Sequence, residues 1–260
     1  MTTNDLLFEI LDGSDYFSGR LTLGQLIVIA GKPASGKTAL AARLINNLAI
    51  NDGVPVALFS LELSKAMMSK RIVRSILAPD ENRIFDEAWV SNHMFGEGKT
   101  QSTAVGPLES GIDGIFQKIS NKLSNAPIQI DDTASLTIDY IKSQSKQLVD
   151  DGVRVILIDY IQLFKNFNKI GDKIIHELKE LAERFGFTII VFSQIDSTSE
   201  NGEDNIFENK YALLGCFSND MLQNADVFCV LHHPTLHEGE SKENGADMYI
   251  LKSTDGQNNI

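Results

Sequence analysis

A chain of 260 residues with 43% hydrophobic content is long enough to bury one sizeable core, and its two cysteines, Cys216 and Cys229, are too few for a disulfide framework and read as buried core thiols. Against 23 Lys and Arg stand 35 Asp and Glu, giving a net charge of −12 and a pI near 4.8, so the molecule as a whole does not attract a phosphate backbone. The opening MTTNDLLFEI has neither a basic head nor a cleavable apolar run, and no apolar stretch approaches the ~18 residues that span a bilayer, so a cytoplasmic protein with no membrane partner is expected.

Leu6, Leu7, Ile10 and Leu11 fall at helical spacing behind Asn4, which predicts a short amphipathic helix from Asn4 to Leu11 within an amino-terminal arm over residues 1–17. From Leu26 the run LIVIA is apolar at every position, as in a central parallel strand covered on both faces. The octet GKPASGKT follows, and Ala39 to Ile50 reads as a helix. The alternation then repeats: VPVALFS as a strand, Lys65 to Leu77 as a helix, PIQIDD as a strand, Ile138 to Val149 as a helix. VRVILIDY, the helix Lys173 to Phe185, FTIIVFSQ, DVFCVLHH and MYILK complete it, which predicts an α/β fold with a mostly parallel sheet and helices on both faces. Two stretches break the rhythm. Residues 80–124 hold Trp89, Met94 and Phe95, a Gly, Ser and Thr rich loop at Gly96 to Pro107, and a helix from Ile112 to Leu123, and read as a helical insertion. Asp196 to Asp247 is irregular and carries only Lys210 and Lys242 against eleven acidic side chains.

The octet Gly31, Lys32, Pro33, Ala34, Ser35, Gly36, Lys37, Thr38 satisfies GxxxxGK[ST] between a buried strand and a helix, the context in which this pattern cradles phosphates. Its glycines let successive backbone N–H groups turn toward one anion at the positive end of the helix dipole. Lys37 is then the cation for the β and γ phosphates of ATP, and Thr38 a ligand for Mg2+. Asp159 ends the strand VRVILIDY and is the candidate second magnesium carboxylate. Glu62, closing VALFSLE, is either a general base for the attacking water or a solvated helix-start glutamate; Gln194, ending FTIIVFSQ, is either a sensor of the γ phosphate or a plain strand-end polar residue. His232, His233 and His237 beside Glu238 are too irregularly spaced for a metal centre and read as exposed loop histidines.

The segments LTLGQLIVIAGKPASGKTAL, DGVPVALFSLELS, PIQIDDTASLTIDYIKSQSKQL, VILIDYIQLF and FTIIVFSQI closely resemble, in order and spacing, the ATPase domain of DnaB-type replicative DNA helicases in the RecA-like superfamily. The resemblance implies a RecA-like phosphate-loop NTPase domain over residues 18–260, with catalytic roles for Lys37, Glu62 and Gln194, Asp159 and Thr38 on magnesium, and ATP as nucleotide. It also implies a homo-hexamer, single-stranded DNA as the substrate track and a replication protein as partner. In the family's last motif, resembling AKxRNG, a lysine and an arginine reach the neighbouring subunit's ATP site. This chain reads LKSTDG there, keeping Lys252 as a nucleotide-binding candidate and placing Thr254 where the arginine stands. Upstream of QNAD at Gln223 to Asp226, Cys216 and Phe217 occupy positions where the family carries Arg and Glu. Two functions follow as expectations: an ATP-hydrolysing helicase domain acting on single-stranded DNA, or a degenerate ATP-binding module that regulates or assembles with a partner without unwinding. Weak DNA binding is expected from the acidic loops. Lys65, Lys70, Arg71 and Arg74 are the fallback for a basic surface.

Overall fold

The computed structural model describes residues 6–7, 20–21, 23–77, 109–195, 217–232 and 246–253. In chain order these form β1 (Leu6–Leu7), β2 (Arg20–Leu21), β3 (Leu26–Gly31), α1 (Lys37–Ile45) running into a π-helical turn (Asn46–Asn51), and β4 (Val56–Ser60). Next come α2 (Lys65–Leu77), α3 (Glu109–Asn125), β5 (Ile128–Asp131), α4 (Ile138–Asp150) and β6 (Val155–Asp159). A 3-10 turn (Ile161–Leu163), α5 (Phe167–Phe185), β7 (Thr188–Gln194), α6 (Asn219–Asn224), β8 (Val227–His232) and β9 (Asp247–Ser253) complete the described chain.

Seven strands form one sheet in the order β5-β4-β6-β7-β3-β8-β9, every neighbour parallel except the antiparallel β8 and β9 pair. The strands β3, β4 and β6 are buried along their whole length, which is why they read as unbroken apolar runs. Side-chain alternation sends Leu26, Val28 and Ala30 into one core with Ile141 and Leu148 of α4, Ile174 and Leu178 of α5, and Met221 of α6. Ile27 and Ile29 face the other way, into a core with Leu40 and Leu44 of α1 and Met68 and Ile72 of α2. Helices therefore cover both faces, as expected.

Local chemistry sets the element ends. Thr137 and Ser218 cap α4 and α6 by accepting hydrogen bonds from the N–H groups of Tyr140 and Met221, both at 3.2 Å. Each such cap contributes about 1 kcal/mol. At the amino edge of the sheet, Asp226 accepts from the Leu26 N–H at 2.7 Å and from the Lys179 ammonium at 2.6 Å, and Lys179 also donates to the Gly24 carbonyl at 3.2 Å. Opposing desolvation, the carboxylate partners hold the Lys179 pKa above its ordinary value. The aspartate of QNAD thus pins the start of β3 to α5.

Several expectations change. The helix from Asn4 to Leu11 is not what Leu6 and Leu7 form: they pair antiparallel with Leu21 and Arg20, because an edge of backbone from another part of the chain outcompetes a single marginal helical turn. The helix expected at Lys173 to Phe185 starts earlier, at Phe167, and is bent at Ile170. His232 is the last residue of β8 rather than a loop residue, with its ring 6.4 Å from that of Tyr249. Trp89, Met94, Phe95, the loop at Gly96 to Pro107, Lys210, Cys216, His233, His237, Glu238, Lys242 and Thr254 lie outside the described residues. No described helix is long and apolar enough to cross a membrane.

Candidate active site

The turn from β3 into α1 is built for close backbone approach. A Cβ at Gly31 would lie 2.4 Å from the Ser35 hydroxyl and 2.9 Å from the Leu231 carbonyl, so no other residue fits without displacing the loop. Gly36 takes φ +96°, the left-handed conformation that lets the chain enter α1 directly. The first-turn N–H groups of α1 have no acceptors within the helix, and no acidic side chain in that turn offsets the dipole. Lys37 is buried and folds back on the loop, its ammonium donating to the Gly31 and Lys32 carbonyls at 2.8 Å each. Burial lowers its pKa, and Asp159 and then Glu62 act in the opposite direction. Lys32 is half-buried and Pro33 and Ala34 are exposed on the rim of the loop; the Ser35 hydroxyl is buried with no hydrogen-bond partner among the described residues.

Sheet register gathers the other candidates at the same carboxyl edge. Ser60, two residues before Glu62, is paired with Asp159, and Gly31 is paired with Gln194. The Leu61 N–H donates to the Asp159 carbonyl at 2.8 Å, and the Ser60 hydroxyl donates to the Leu63 carbonyl at 2.7 Å, so the turn bearing Glu62 is tied to both strands. Glu62 itself is exposed.

Asp159 is fully buried, and neither carboxylate oxygen has a well-formed hydrogen bond among the described residues. Burial pushes its pKa up to about 6; the Thr38 hydroxyl beside it opposes that rise, the Glu62 charge adds to it, and Lys37 and Arg71 oppose it. A buried carboxyl without a well-formed hydrogen bond, with the Thr38 hydroxyl beside it and the Lys37 charge felt there, is the environment a divalent cation satisfies, so the residues present fit magnesium bound with a nucleotide. The peptide between Asp159 and Tyr160 is cis. Among the described residues no cluster of three or more His, Cys, Asp or Glu is arranged to hold a metal by itself.

Lys252 is not brought to this loop. Because β9 runs antiparallel to β8, Lys252 lies beside Phe228, near the amino edge of the sheet. Its ammonium closes the carboxyl end of α6 by donating to the Leu222 and Gln223 carbonyls at 2.9 and 2.8 Å. The fallback basic surface does not form as a unit either: Lys70 is buried, and Arg71 is half-buried with its Nε unpartnered among the described residues and its charge felt at Asp159. The Arg71 charge thus opposes the rise at Asp159 together with Lys37. The signal for it in the sequence is its place three residues after Met68 and next to Ile72, on the buried face of α2.

Comparison with known proteins agrees with the geometry. The model of the DnaB-like helicase C terminal domain matches residues 8–260. A replicative DNA helicase DnaB of Synechocystis sp. is 32% identical over 221 residues, 80% of this chain and 23% of that protein. The replicative DNA helicase DnaC of Bacillus subtilis is 27% identical over 252 residues, 91% of this chain and 50% of that protein. This chain thus spans half or less of the length of these curated relatives. Among solved structures, a DnaB-like replicative helicase described with its interactions with primase superposes with a TM-score of 0.68 at 26% identity, covering 89% of this chain and 53% of that one. A second solved structure, of an ATPase domain, superposes with a TM-score of 0.63 at 24% identity over 89% of this chain and 78% of that one, and shows the same fold. The sheet is thus a RecA-like phosphate-loop ATPase fold, and the chain belongs to the DnaB-like helicase C terminal domain family.

Proposed function

We propose that this chain binds ATP with magnesium across Gly31 to Thr38, hydrolyses it, and acts on single-stranded DNA as the ATPase part of a replicative helicase. The observation that carries the reading is Asp159, a fully buried carboxyl without a well-formed hydrogen bond among the described residues, set beside Thr38 and Lys37 at the carboxyl edge of a parallel sheet. Thr38 and Asp159 would hold the magnesium ion, which would neutralise phosphate charge there. Lys37 exchanges its two loop carbonyls for the β and γ phosphates. Gly31, Lys32, Pro33, Ala34, Ser35 and Gly36 present the loop backbone to the same phosphates. Glu62 orients the attacking water and takes its proton, with Arg71 holding the field around Asp159. Gln194, paired with Gly31, reports the γ phosphate to the chain beyond β7. A homo-hexamer, a primase-like replication partner and a cytoplasmic setting go with this role.

One observation favours a second reading, a degenerate ATP-binding module that assembles with a partner without unwinding DNA: the ammonium of Lys252 is engaged by α6 of its own chain rather than extended toward a neighbour. Magnesium-dependent ATPase, measured with and without single-stranded DNA and alongside the size of the particle, separates the two. Turnover that rises with DNA in a ring-sized particle supports the motor. Binding of ATP without turnover, or turnover indifferent to DNA in a monomer, supports the module.

A further inference from the structure

Gln162 lies three residues after Asp159, in the 3-10 turn that follows β6. Backbone pairing between β6 and β7 runs from Val155 opposite Thr188 to Ile158 opposite Val191 and ends there, as the chain turns away. The side chain of Gln162 continues it. Its Oε1 accepts from the Gln194 N–H at 3.0 Å and its Nε2 donates to the Gln194 carbonyl at 2.9 Å, while Nε2 also donates to the Ser193 hydroxyl at 2.9 Å. A carboxamide carries a donor and an acceptor side by side, as a peptide group does, so it can replace the missing strand at the last residue of β7.

On its other flank, Gln194 is registered with Gly31 of the phosphate loop, and the next N–H, that of Ile195, donates to the Gly31 carbonyl at 3.0 Å. That carbonyl is one of the two acceptors of the Lys37 ammonium. Gln162 therefore joins the turn carrying Asp159 to the strand end carrying Gln194, and through it to the loop carrying Lys37. Nothing in the sequence pattern assigns it this role, because its partner is 32 residues away.

We infer that Gln162 is a positioning residue for ATP turnover: it fixes the main chain of Gln194 against the Asp159 turn, so that movement at the metal carboxylate and at the γ-phosphate sensor occurs together. The inference rests on the reading of Gly31 to Thr38 as an ATP site. Gln162 and Gln194 are only half-buried, so water can take over the polar groups that a substitution at Gln162 releases. The fold then survives while the geometry loosens.

The test is steady-state ATPase of the chain with magnesium and single-stranded DNA, with equilibrium ATP binding measured beside it, for wild type, Gln162→Met, Gln162→Glu, Gln194→Ala and the double variant Gln162→Met with Gln194→Ala. Gln162→Met keeps the shape without the hydrogen bonds and is expected to lower kcat about ten- to a hundred-fold, with ATP affinity changed by less than about two-fold. Gln162→Glu keeps the acceptor for the Gln194 N–H but sets its second oxygen against the Gln194 carbonyl, and is expected not to rescue. In the Gln194→Ala background, Gln162→Met should add little further, since the sensor side chain carried by the main chain that Gln162 holds is gone. An unchanged kcat in Gln162→Met or in Gln162→Glu, or a full multiplicative loss in the double variant, overturns this inference alone. A wild-type chain without ATP turnover, indistinguishable from Lys37→Ala, overturns the ATPase reading and this inference with it.

Discussion

Replacing Asp159 by Asn gives a quantitative test of the site without any nucleotide. In the folded chain burial raises this carboxyl from 3.8 to about 6. A native group with the higher pKa binds more protons than its unfolded counterpart between the two values. Stability must then fall as pH rises through that window and stay lower above it. At 1.36 kcal/mol per pKa unit the complete penalty is about 3 kcal/mol, of which about 2 kcal/mol develops between roughly pH 4.5 and 7.5. The substituted carboxamide does not titrate. Its own desolvation is the same at both pH values and cancels, as do the contributions of all other titrating groups when wild type and variant are compared. Denaturant unfolding of both proteins in chelator is therefore expected to show Asp159→Asn gaining about 2 kcal/mol on wild type on going from pH 4.5 to 7.5. With magnesium and ATP the wild type is expected to gain more ligand-linked stability than the variant, which lacks the metal carboxylate. Parallel pH–stability curves for the two proteins in chelator would show that Asp159 is not the buried carboxyl with a raised pKa described above.

Other expectations concern the loop and its neighbours. Lys37→Ala should weaken ATP and ADP alike and abolish turnover, whereas Glu62→Gln should abolish turnover with ATP binding near normal; calorimetric binding beside an ATPase assay checks both. Gly31→Ala forces a methyl group to 2.4 Å from the Ser35 hydroxyl and should lower stability by about 1–3 kcal/mol and remove ATP binding, read by thermal melting with and without nucleotide. Thr254→Arg, which restores a guanidinium where the family carries one, should raise the ATPase rate only at protein concentrations where oligomers form; an equal rise in dilute monomer is inconsistent with action on a neighbour's site. Filter binding of single-stranded DNA should be weak and weaken further with salt, and tight binding at physiological ionic strength would contradict the acidic reading of the chain.

The sequence by itself determined the layered architecture and the phosphate loop. Strands buried on both faces must be apolar throughout, and helices covering them must be amphipathic, so LIVIA, VALFS and VILID announce a parallel sheet from their side chains alone. GKPASGKT is likewise local: its chemistry depends on eight consecutive residues and the strand and helix at their ends. Sheet order and register are not local. They decided that Ser60 meets Asp159 and Gln194 meets Gly31, that Asp159 is buried without a well-formed hydrogen bond among the described residues, and that Gln162 completes β7 from 32 residues away. They also sent Lys252 toward the opposite edge of the sheet. At Leu6 and Leu7 helical spacing was misleading, because pairing with Arg20 and Leu21 is a tertiary choice that two leucines at helical spacing do not reveal. In each case the deciding partner is far along the chain. Pairing energy between distant segments is absent from any local window of residues and enters only when the sheet assembles.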